Sequence, residues 1–327
     1  MQEAGGFLVK HYNEMAFMGF VEVLSNLSTI LENLNFCKKD ILKYSPDVVI
    51  LVDFAGFNMR IARFAKEHQI KTFYYISPKI WAWNQSRAYK IKKYVDRMFV
   101  TLPFEKAFYS KFDYKVDFVG NPVVDAIEDH PYKKDFIKLN KLGDKPVIAI
   151  LPGSRKQEVE ANLNIMSSLS SYFPDYQFVV AAVPNLPDHL FKVHDNETKV
   201  VYSQTYDLLA NATAAIITSG TATLEAALIG VPQVVCYRTS AISYFIGKRV
   251  VKVKYISLVN LLADKEVVRE LIQNEFSLIN LVSELEKLLS NEPFREMQKK
   301  EYNKIKEQLG AERASEKAAK LMYRYLK

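Results

Sequence analysis

Short apolar runs alternate with helix-like segments along most of this chain, and that alternation restricts the fold more than any other feature of the sequence. Alternating β and α units predict parallel sheets covered by helices. The runs that we expect to form strands are Val48–Val52, Thr72–Ile76, Met98–Thr101, Val116–Val119, Val147–Leu151, Gln177–Ala182, Lys199–Tyr202, Ala214–Thr218 and Gln233–Tyr237. Because they fall into two series, we predict an α/β protein with two Rossmann-like parallel-sheet domains.

A lysine-rich stretch from about His130 to Lys145 separates the two series, and we place the hinge between the domains there. Residues 1–140 would form the first α/β domain and residues 141–310 the second. The last segment, 311–327, has the pattern of one amphipathic helix that would pack back across the first domain. With 327 residues, of which 49% are hydrophobic, the chain is long enough for two ordinary cores.

The turn after the strand Ala214–Thr218 reads Ser219-Gly220-Thr221 and opens a helix-like segment. A small-residue turn between a strand and a helix offers free backbone N–H groups to a phosphate. Glu225 falls about one helical turn beyond Gly220, where its carboxylate can reach sugar hydroxyls beside that phosphate. The segment favours a nucleoside diphosphate site, although an ordinary helix N-cap explains the same residues.

A second unit of this kind follows the strand Val147–Leu151, where the turn carries Gly153, Ser154 and Arg155. Two such turns at the carboxyl ends of a parallel sheet can converge on one anion. Arg155 would then bind phosphate oxygens through paired N–H groups. A solvent-exposed loop arginine is the alternative interpretation.

The formal net charge of +7 suits nucleic acid, anionic lipid or a phosphorylated substrate, and two clusters mix cations with aromatic rings. Such clusters suit a bilayer interface, single-stranded nucleic acid or a solvated helix face beside core aromatics. The first comprises Lys79, Trp81, Trp83, Arg87, Tyr89, Lys90, Lys92, Lys93, Tyr94 and Arg97, and the second Tyr237, Arg238, Tyr244, Phe245, Lys248, Arg249, Lys252 and Lys254.

No window approaches the length of a transmembrane helix, and the N-terminus has no signal-peptide pattern. Cys37 and Cys236 stand alone, without a pattern for a disulfide framework or a metal site. We therefore expect a cytoplasmic protein.

A set of short motifs, in order and in spacing, resembles the lipid-A-disaccharide synthases, a family of inverting glycosyltransferases whose two α/β domains face a cleft (the GT-B architecture). The motifs extend over essentially the whole chain and are Met18–Leu24, Val52–Asn58, Ile76–Trp83, Leu102–Glu105, Val119–Pro122, Leu151–Arg155, Ser219–Glu225, Tyr237–Arg238 and Ser257–Leu262. The family normally begins with a strand and a glycine-rich turn, whereas this chain opens at Met1–Gly6. We therefore expect a first domain that is incomplete at its N-terminus.

The resemblance implies transfer of 2,3-diacylglucosamine from its UDP carrier to the 6-hydroxyl of 2,3-diacylglucosamine 1-phosphate. The products would be lipid A disaccharide 1-phosphate and UDP. Asp53 matches the family's catalytic aspartate and would accept the proton of the acceptor hydroxyl. Ala55-Gly56 stands where many relatives carry Pro-Asp, so any role of that second aspartate does not carry over.

Arg155 would stabilise the leaving UDP, and the residues expected to bind UDP are Ser154, Arg155, Ser219, Gly220, Thr221, Glu225 and Asn260. Asn260 lies in an apolar segment, where a structural side-chain to backbone hydrogen bond is the alternative. The sequence contains no Asp-x-Asp pair, so we expect neither a metal nor another cofactor.

Phe17, Phe20, Val21 and Leu24 recur at helical spacing, as do Leu27 and Leu31 further along. By resemblance this apolar stripe would face the acyl chains and the bilayer. The alternative is that it packs in the hydrophobic core of the protein. The protein would then act peripherally at the cytoplasmic face of the inner membrane of a Gram-negative bacterium. A homodimer is left open.

Two other classes of function stay open besides this transferase. One is another UDP-sugar enzyme of the same architecture, either a transferase with a soluble acceptor or an epimerase. The other is a non-catalytic module, either a truncated UDP-binding one or a membrane-associated one. Nucleic acid is not expected as a partner, because it would need a cleft of exposed aromatic rings and salt-sensitive binding.

Overall fold

The computed structural model describes residues 2, 4–11, 27–193, 197–310 and 312–327. Strands β1–β10 are Val48–Val52, Lys71–Tyr75, Arg97–Val100, Asp117–Phe118, Val147–Leu151, Gln177–Ala182, Lys199–Tyr202, Ala212–Thr218, Gln233–Tyr237 and Glu270–Ile272. Helices α1–α14 are Leu27–Tyr44, Ala55–Glu67, Arg87–Tyr94, Phe104–Ser110, Pro122–Glu128, Phe136–Leu139, Lys156–Ser167, Thr205–Ala210, Thr221–Ile229, Ala241–Val250, Leu258–Ala263, Leu278–Ser290, Glu292–Leu309 and Ala314–Leu326. Short 3₁₀ turns lie at Ile80–Ala82, Ser168–Tyr172, Asp188–Phe191 and Gln273–Glu275.

The strands form two parallel sheets, which confirms the predicted α/β class. The first sheet has the order β1-β2-β3-β4 and the second β10-β9-β8-β5-β6-β7. Every pairing is parallel, as in the register of Ile50 with Phe73 and of Ile150 with Ile216. In the centre of the second sheet, β5 is buried along its whole length and β8 is buried from Ala214 onward, which is why they read as continuous apolar runs in the sequence.

The last helix, α14, packs on one face of the first sheet. Its Ala318 joins Phe73, Phe99 and Val119 in a small apolar cluster, and Tyr325 packs against the edge of that cluster. The opposite face of the sheet belongs to a larger core described next. The first sheet is therefore covered on both sides, as a parallel sheet requires.

One hydrophobic cluster extends across both halves of the chain. It contains Leu51 and Phe57 from the first half together with Leu224, Val259 and Ile305 from the second. The second sheet has two further clusters of its own, one on each face. Apolar burial of this kind stabilises by about 25 cal/mol for each Å² removed from water, so the shared cluster holds the two sheets together.

The loop after β2 is anchored by a buried carboxylate. Glu105 accepts from the Trp81 indole N–H (3.2 Å) and from the backbone N–H groups of Thr101 and Leu102 (3.2 and 3.0 Å). Ser77 in the same loop shares a hydrogen bond with the Tyr109 hydroxyl (2.8 Å). Burial raises the pKa of Glu105 to about 7, although each of these donors acts in the opposite direction.

No helix among the described residues is both long enough and apolar enough to cross a bilayer.

Glu105 predicts a pH dependence of stability. Its pKa is about 7 in the folded protein against an ordinary value of 4.5, so the folded state binds more protons between those values. The stabilisation is complete below about pH 4.5 and is lost as the pH rises through about 7. Between about pH 5 and pH 8 we expect the free energy of unfolding of the wild type to fall roughly 2–3 kcal/mol further than that of Glu105→Gln.

Urea unfolding over that pH range measures the difference. Glu128→Gln is the control, because Glu128 is an exposed glutamate in the same half of the chain. An unchanged pH profile in Glu105→Gln would contradict the assignment.

Candidate functional site

A cavity of about 360 Å³ opens where the carboxyl ends of β5 and β8 meet the start of α7 and α9. Its size falls within the roughly 300–1,000 Å³ typical of small-molecule sites. The residues lining it are Lys79, Leu151, Gly153, Ser154, Arg155, Glu158, Ala181, Val183, Thr205, Thr218, Ser219, Gly220, Thr221, Ala222 and Glu225. The two turns singled out in the sequence therefore share one cavity.

A carboxylate of the chain itself, that of Glu158, already binds to the turn between β5 and α7. The Glu158 carboxylate accepts from the Ser154 backbone N–H (3.1 Å) and from the Arg155 guanidinium (2.8 Å). Gly153 has a φ of +126°, and a Cβ there would lie 2.5 Å from the Glu158 Cβ, so only glycine fits. Glu158 thus holds groups that a phosphate would also bind.

The turn between β8 and α9 presents a helix N-terminus to the cavity. The Ser219 backbone N–H donates to the Cys236 carbonyl (2.8 Å), and its hydroxyl donates to the Ile256 carbonyl (3.1 Å). Among the described residues no side chain caps α9, which begins at Thr221. An uncapped first turn leaves N–H groups and the positive end of the helix dipole for an anion.

Three buried groups tie the two turns together. The Thr218 hydroxyl donates to the Pro152 carbonyl (2.8 Å), and the Asn162 amide donates to the Thr218 hydroxyl (2.9 Å). The Asn162 amide also reaches the Pro152 carbonyl (3.3 Å). The ends of β5 and β8 therefore keep a fixed spacing.

Glu225 lies one turn into α9 and is half-buried at the cavity wall. It accepts a hydrogen bond from the Tyr206 hydroxyl (2.9 Å). Burial raises the pKa of Glu225, and the Tyr206 hydrogen bond opposes that change in part. Its remaining lone pairs can accept from sugar hydroxyls.

Asp53 lies at the carboxyl end of β1, outside the lining of this cavity. Its carboxylate is exposed, whereas its carbonyl accepts from the Tyr74 hydroxyl (2.5 Å) and the Asn58 amide (2.7 Å). Asp53 and Phe54 have φ values of 45° and 44°, and Ile76 at the end of β2 has 65°. Left-handed backbone at such residues costs about 1–3 kcal/mol and gathers at functional sites.

Asn260 does not line the cavity; it is fully buried in α11. Its amide donates to the Val268 carbonyl and the Glu270 carboxylate (both 2.8 Å), and its oxygen accepts from the Val267 and Val268 N–H groups. This is the structural alternative raised above. Glu270 in turn accepts from the Ile256 and Ser257 N–H groups (both 3.0 Å), so Asn260 supports the loop that meets Ser219.

Of the other expected site residues, Phe17, Phe20, Val21 and Leu24 lie outside the described residues. Leu27 and Leu31, from the same stripe, are exposed on α1. Among the described residues no three His, Cys, Asp or Glu side chains cluster as metal ligands would. Lys79 and Tyr206 were not singled out from the sequence as ligands, because their roles arise only from tertiary contacts. Glu158 was missed although its pairing with Arg155, three residues earlier, is local.

The comparisons with known proteins identify the family. The model of the family described as Lipid-A-disaccharide synthetase (LpxB) matches residues 1–323. The Lipid-A-disaccharide synthase of Syntrophus aciditrophicus (strain SB) is 36% identical over 329 residues, covering 98% of this chain and 86% of the relative. That of Psychromonas ingrahamii (strain DSM 17664 / CCUG 51855 / 37) is 39% identical over 296 residues, covering 85% and 76%.

Solved structures agree on the architecture. The glycotransferase of kitacinnamycin has a TM-score of 0.63 at 12% identity over 94% of this chain and 83% of its own. The S. aureus MnaA-UDP co-structure has a TM-score of 0.62 at 13% identity over 90% and 78%. At such identities these likenesses show the fold alone. The family-model match and the identity of the relatives show that the chain belongs to the lipid-A-disaccharide synthetase family of glycosyltransferases.

Proposed function

We propose that this chain transfers 2,3-diacylglucosamine from its UDP carrier to the 6-hydroxyl of 2,3-diacylglucosamine 1-phosphate, releasing UDP. The observation that carries the proposal is the convergence of Arg155 and the N-terminus of α9 on one cavity in a chain of this family. The UDP site would consist of Ser154, Arg155, Ser219, Gly220, Thr221 and Glu225.

The diphosphate of UDP suits this cavity by charge and by hydrogen bonding. As the bond between the sugar and the phosphate breaks, negative charge grows on the leaving oxygen. Arg155 would turn from Glu158 to the diphosphate, and the N–H groups of Gly220 and Thr221 would bind the remaining oxygens. Glu225 would accept from the ribose hydroxyls.

The acceptor hydroxyl loses its proton as it attacks the sugar carbon, and Asp53 would receive that proton. Attack from the face opposite UDP inverts the configuration at that carbon. Asp53 is an exposed carboxylate at the carboxyl edge of the first sheet, which supports the role. Its strained backbone turn further supports a functional assignment.

The acylated substrates require contact with a membrane, and we propose that the protein binds the cytoplasmic face of the inner membrane peripherally. Two exposed rings with cations over them support this: Arg87 lies 4.4 Å from the Trp83 ring centre, and Arg249 lies 3.7 Å from that of Phe245. The Lys252 N–H donates to the Ala82 carbonyl (2.7 Å), so the two segments are adjacent. Rings at headgroup level and cations at lipid phosphates favour such a surface.

The proposed reaction predicts UDP release that requires both acylated sugars. Asp53→Asn should abolish release while changing the dissociation constant of UDP by no more than about threefold, because only the proton acceptor is lost. Asparagine also tolerates the left-handed backbone of this position. A coupled UDP assay in detergent and calorimetric titration with UDP measure the two quantities.

Asp113→Asn is the matched control, since Asp113 is exposed and has a φ of 51°. Equal loss of UDP affinity and release in Asp53→Asn would contradict the base assignment. Turnover of unacylated UDP-N-acetylglucosamine would favour the soluble-substrate alternative, and UDP binding without any turnover would favour a non-catalytic module.

Arg155→Ala should weaken UDP binding and turnover together. A charge-assisted hydrogen bond contributes about 1.5–3 kcal/mol, so we expect the dissociation constant of UDP to rise by about tenfold or more. Arg63→Ala is the control, because Arg63 also pairs with a glutamate in its own helix (2.7 Å to Glu67) but lies outside the cavity. Unchanged UDP affinity in Arg155→Ala would rule out the phosphate contact.

Trp83→Ala and Phe245→Ala should each lower binding to vesicles of phosphatidylglycerol and phosphatidylcholine by about three- to tenfold, because each removes a ring from the interface. The side chains are 39% and 57% exposed, so their loss should leave the core intact. Tyr172→Ala, at a ring that is 55% exposed in the second half, is the control. Cosedimentation measures the bound fraction, and equal binding by all four proteins would refute the proposed surface.

A further inference from the structure

One cationic side chain that lines the cavity, Lys79, is not among the residues expected to bind UDP. Among the described residues lining it, Lys79 is the one that comes from the first sheet, from the loop between β2 and α3. Every other lining residue lies at Leu151 or later, in the part of the chain that forms the second sheet. Lys79 therefore reaches the cavity from the first sheet, whereas Arg155 reaches it from the second.

The backbone on both sides of Lys79 is held in place. Pro78 and Ile80 are buried, and the Ala82 N–H donates to the Lys79 carbonyl (3.2 Å). Further along, the Trp81 indole is buried and bonded to Glu105. Lys79 itself is exposed, so only its side chain is free to move. Such a loop positions a charge at little entropic cost on binding.

The two carboxylates that line the cavity are bonded to residues other than Lys79. Glu158 pairs with Arg155, and Glu225 is bonded to Tyr206. Within the part of the chain that the structure describes, no carboxylate forms an ion pair with Lys79. An unpaired ammonium that shares a cavity with a helix N-terminus attracts an anion.

We propose that Lys79 binds the diphosphate of the nucleotide sugar from the opposite side of the cleft and so links the two halves of the protein through the substrate. The inference rests on the proposed function, because it needs a nucleoside diphosphate in this cavity. Arg155 and the start of α9 contact the diphosphate from the second sheet. Glu158 offsets the charge of Arg155, so the contact with Lys79 would add a positive charge that the second sheet does not supply.

Lys79→Gln tests this contact. We expect the dissociation constant of UDP to rise by about tenfold, while that of uridine, which carries no phosphate, stays within about twofold. Lys79→Arg should restore UDP binding to within about threefold, because it keeps the charge. The wild-type affinity for UDP should also depend on salt more steeply than that of Lys79→Gln. Calorimetric titrations at two salt concentrations measure each value.

Lys138→Gln is the matched control, since Lys138 is an exposed lysine outside the cavity. If wild-type protein binds UDP and Lys79→Gln binds it equally well, the inference fails and the proposed function stands. Parallel loss of uridine binding would also overturn it, because the substitution would then have disturbed the loop. If wild-type protein neither binds UDP nor releases it from the acylated substrates, the proposed function fails and the inference falls with it.

Discussion

The hydrogen bonds that join Thr218, Asn162 and Pro152 are the constraint on which the site depends. They lie in the interior, where an unpaired polar group costs about 1–3 kcal/mol, so the three groups stay together. Because Pro152 directly follows β5 and Thr218 is the last residue of β8, their spacing sets the distance between the two turns that carry Arg155 and the start of α9. The anion-binding groups are thus arranged by the sheet, before any ligand arrives.

Much of the fold could be predicted from the sequence because buried parallel strands are continuous apolar runs. Each run that we expected to form a strand overlaps with an observed one, and their ends differ by at most two residues. The strand Glu270–Ile272 was missed, because three residues with a charged end give no apolar run. The helix expected over 311–327 forms at Ala314–Leu326, where its apolar face meets the first sheet.

Those residues of the candidate site that lie together in a short sequence motif could be predicted from the sequence. Ser154 with Arg155, and Ser219 with Gly220 and Thr221, each follow a strand directly, so the topology brings them to one edge. Asn260 was ambiguous because its partner Glu270 lies in the strand that was missed. The approach of Lys79 could not be predicted, since it depends on how a loop of the first sheet packs beside the second.

The hydrophobic cluster shared by the two sheets has a mechanical consequence. Leu51 and Phe57 lie in the same cluster as Leu224 and Ile305, so a wide swing of one half away from the other would expose apolar surface of both. Separating the two sheets in this way would therefore cost free energy. Rotamer changes and small shear movements at the rim of the cavity would keep this cluster buried while substrate enters.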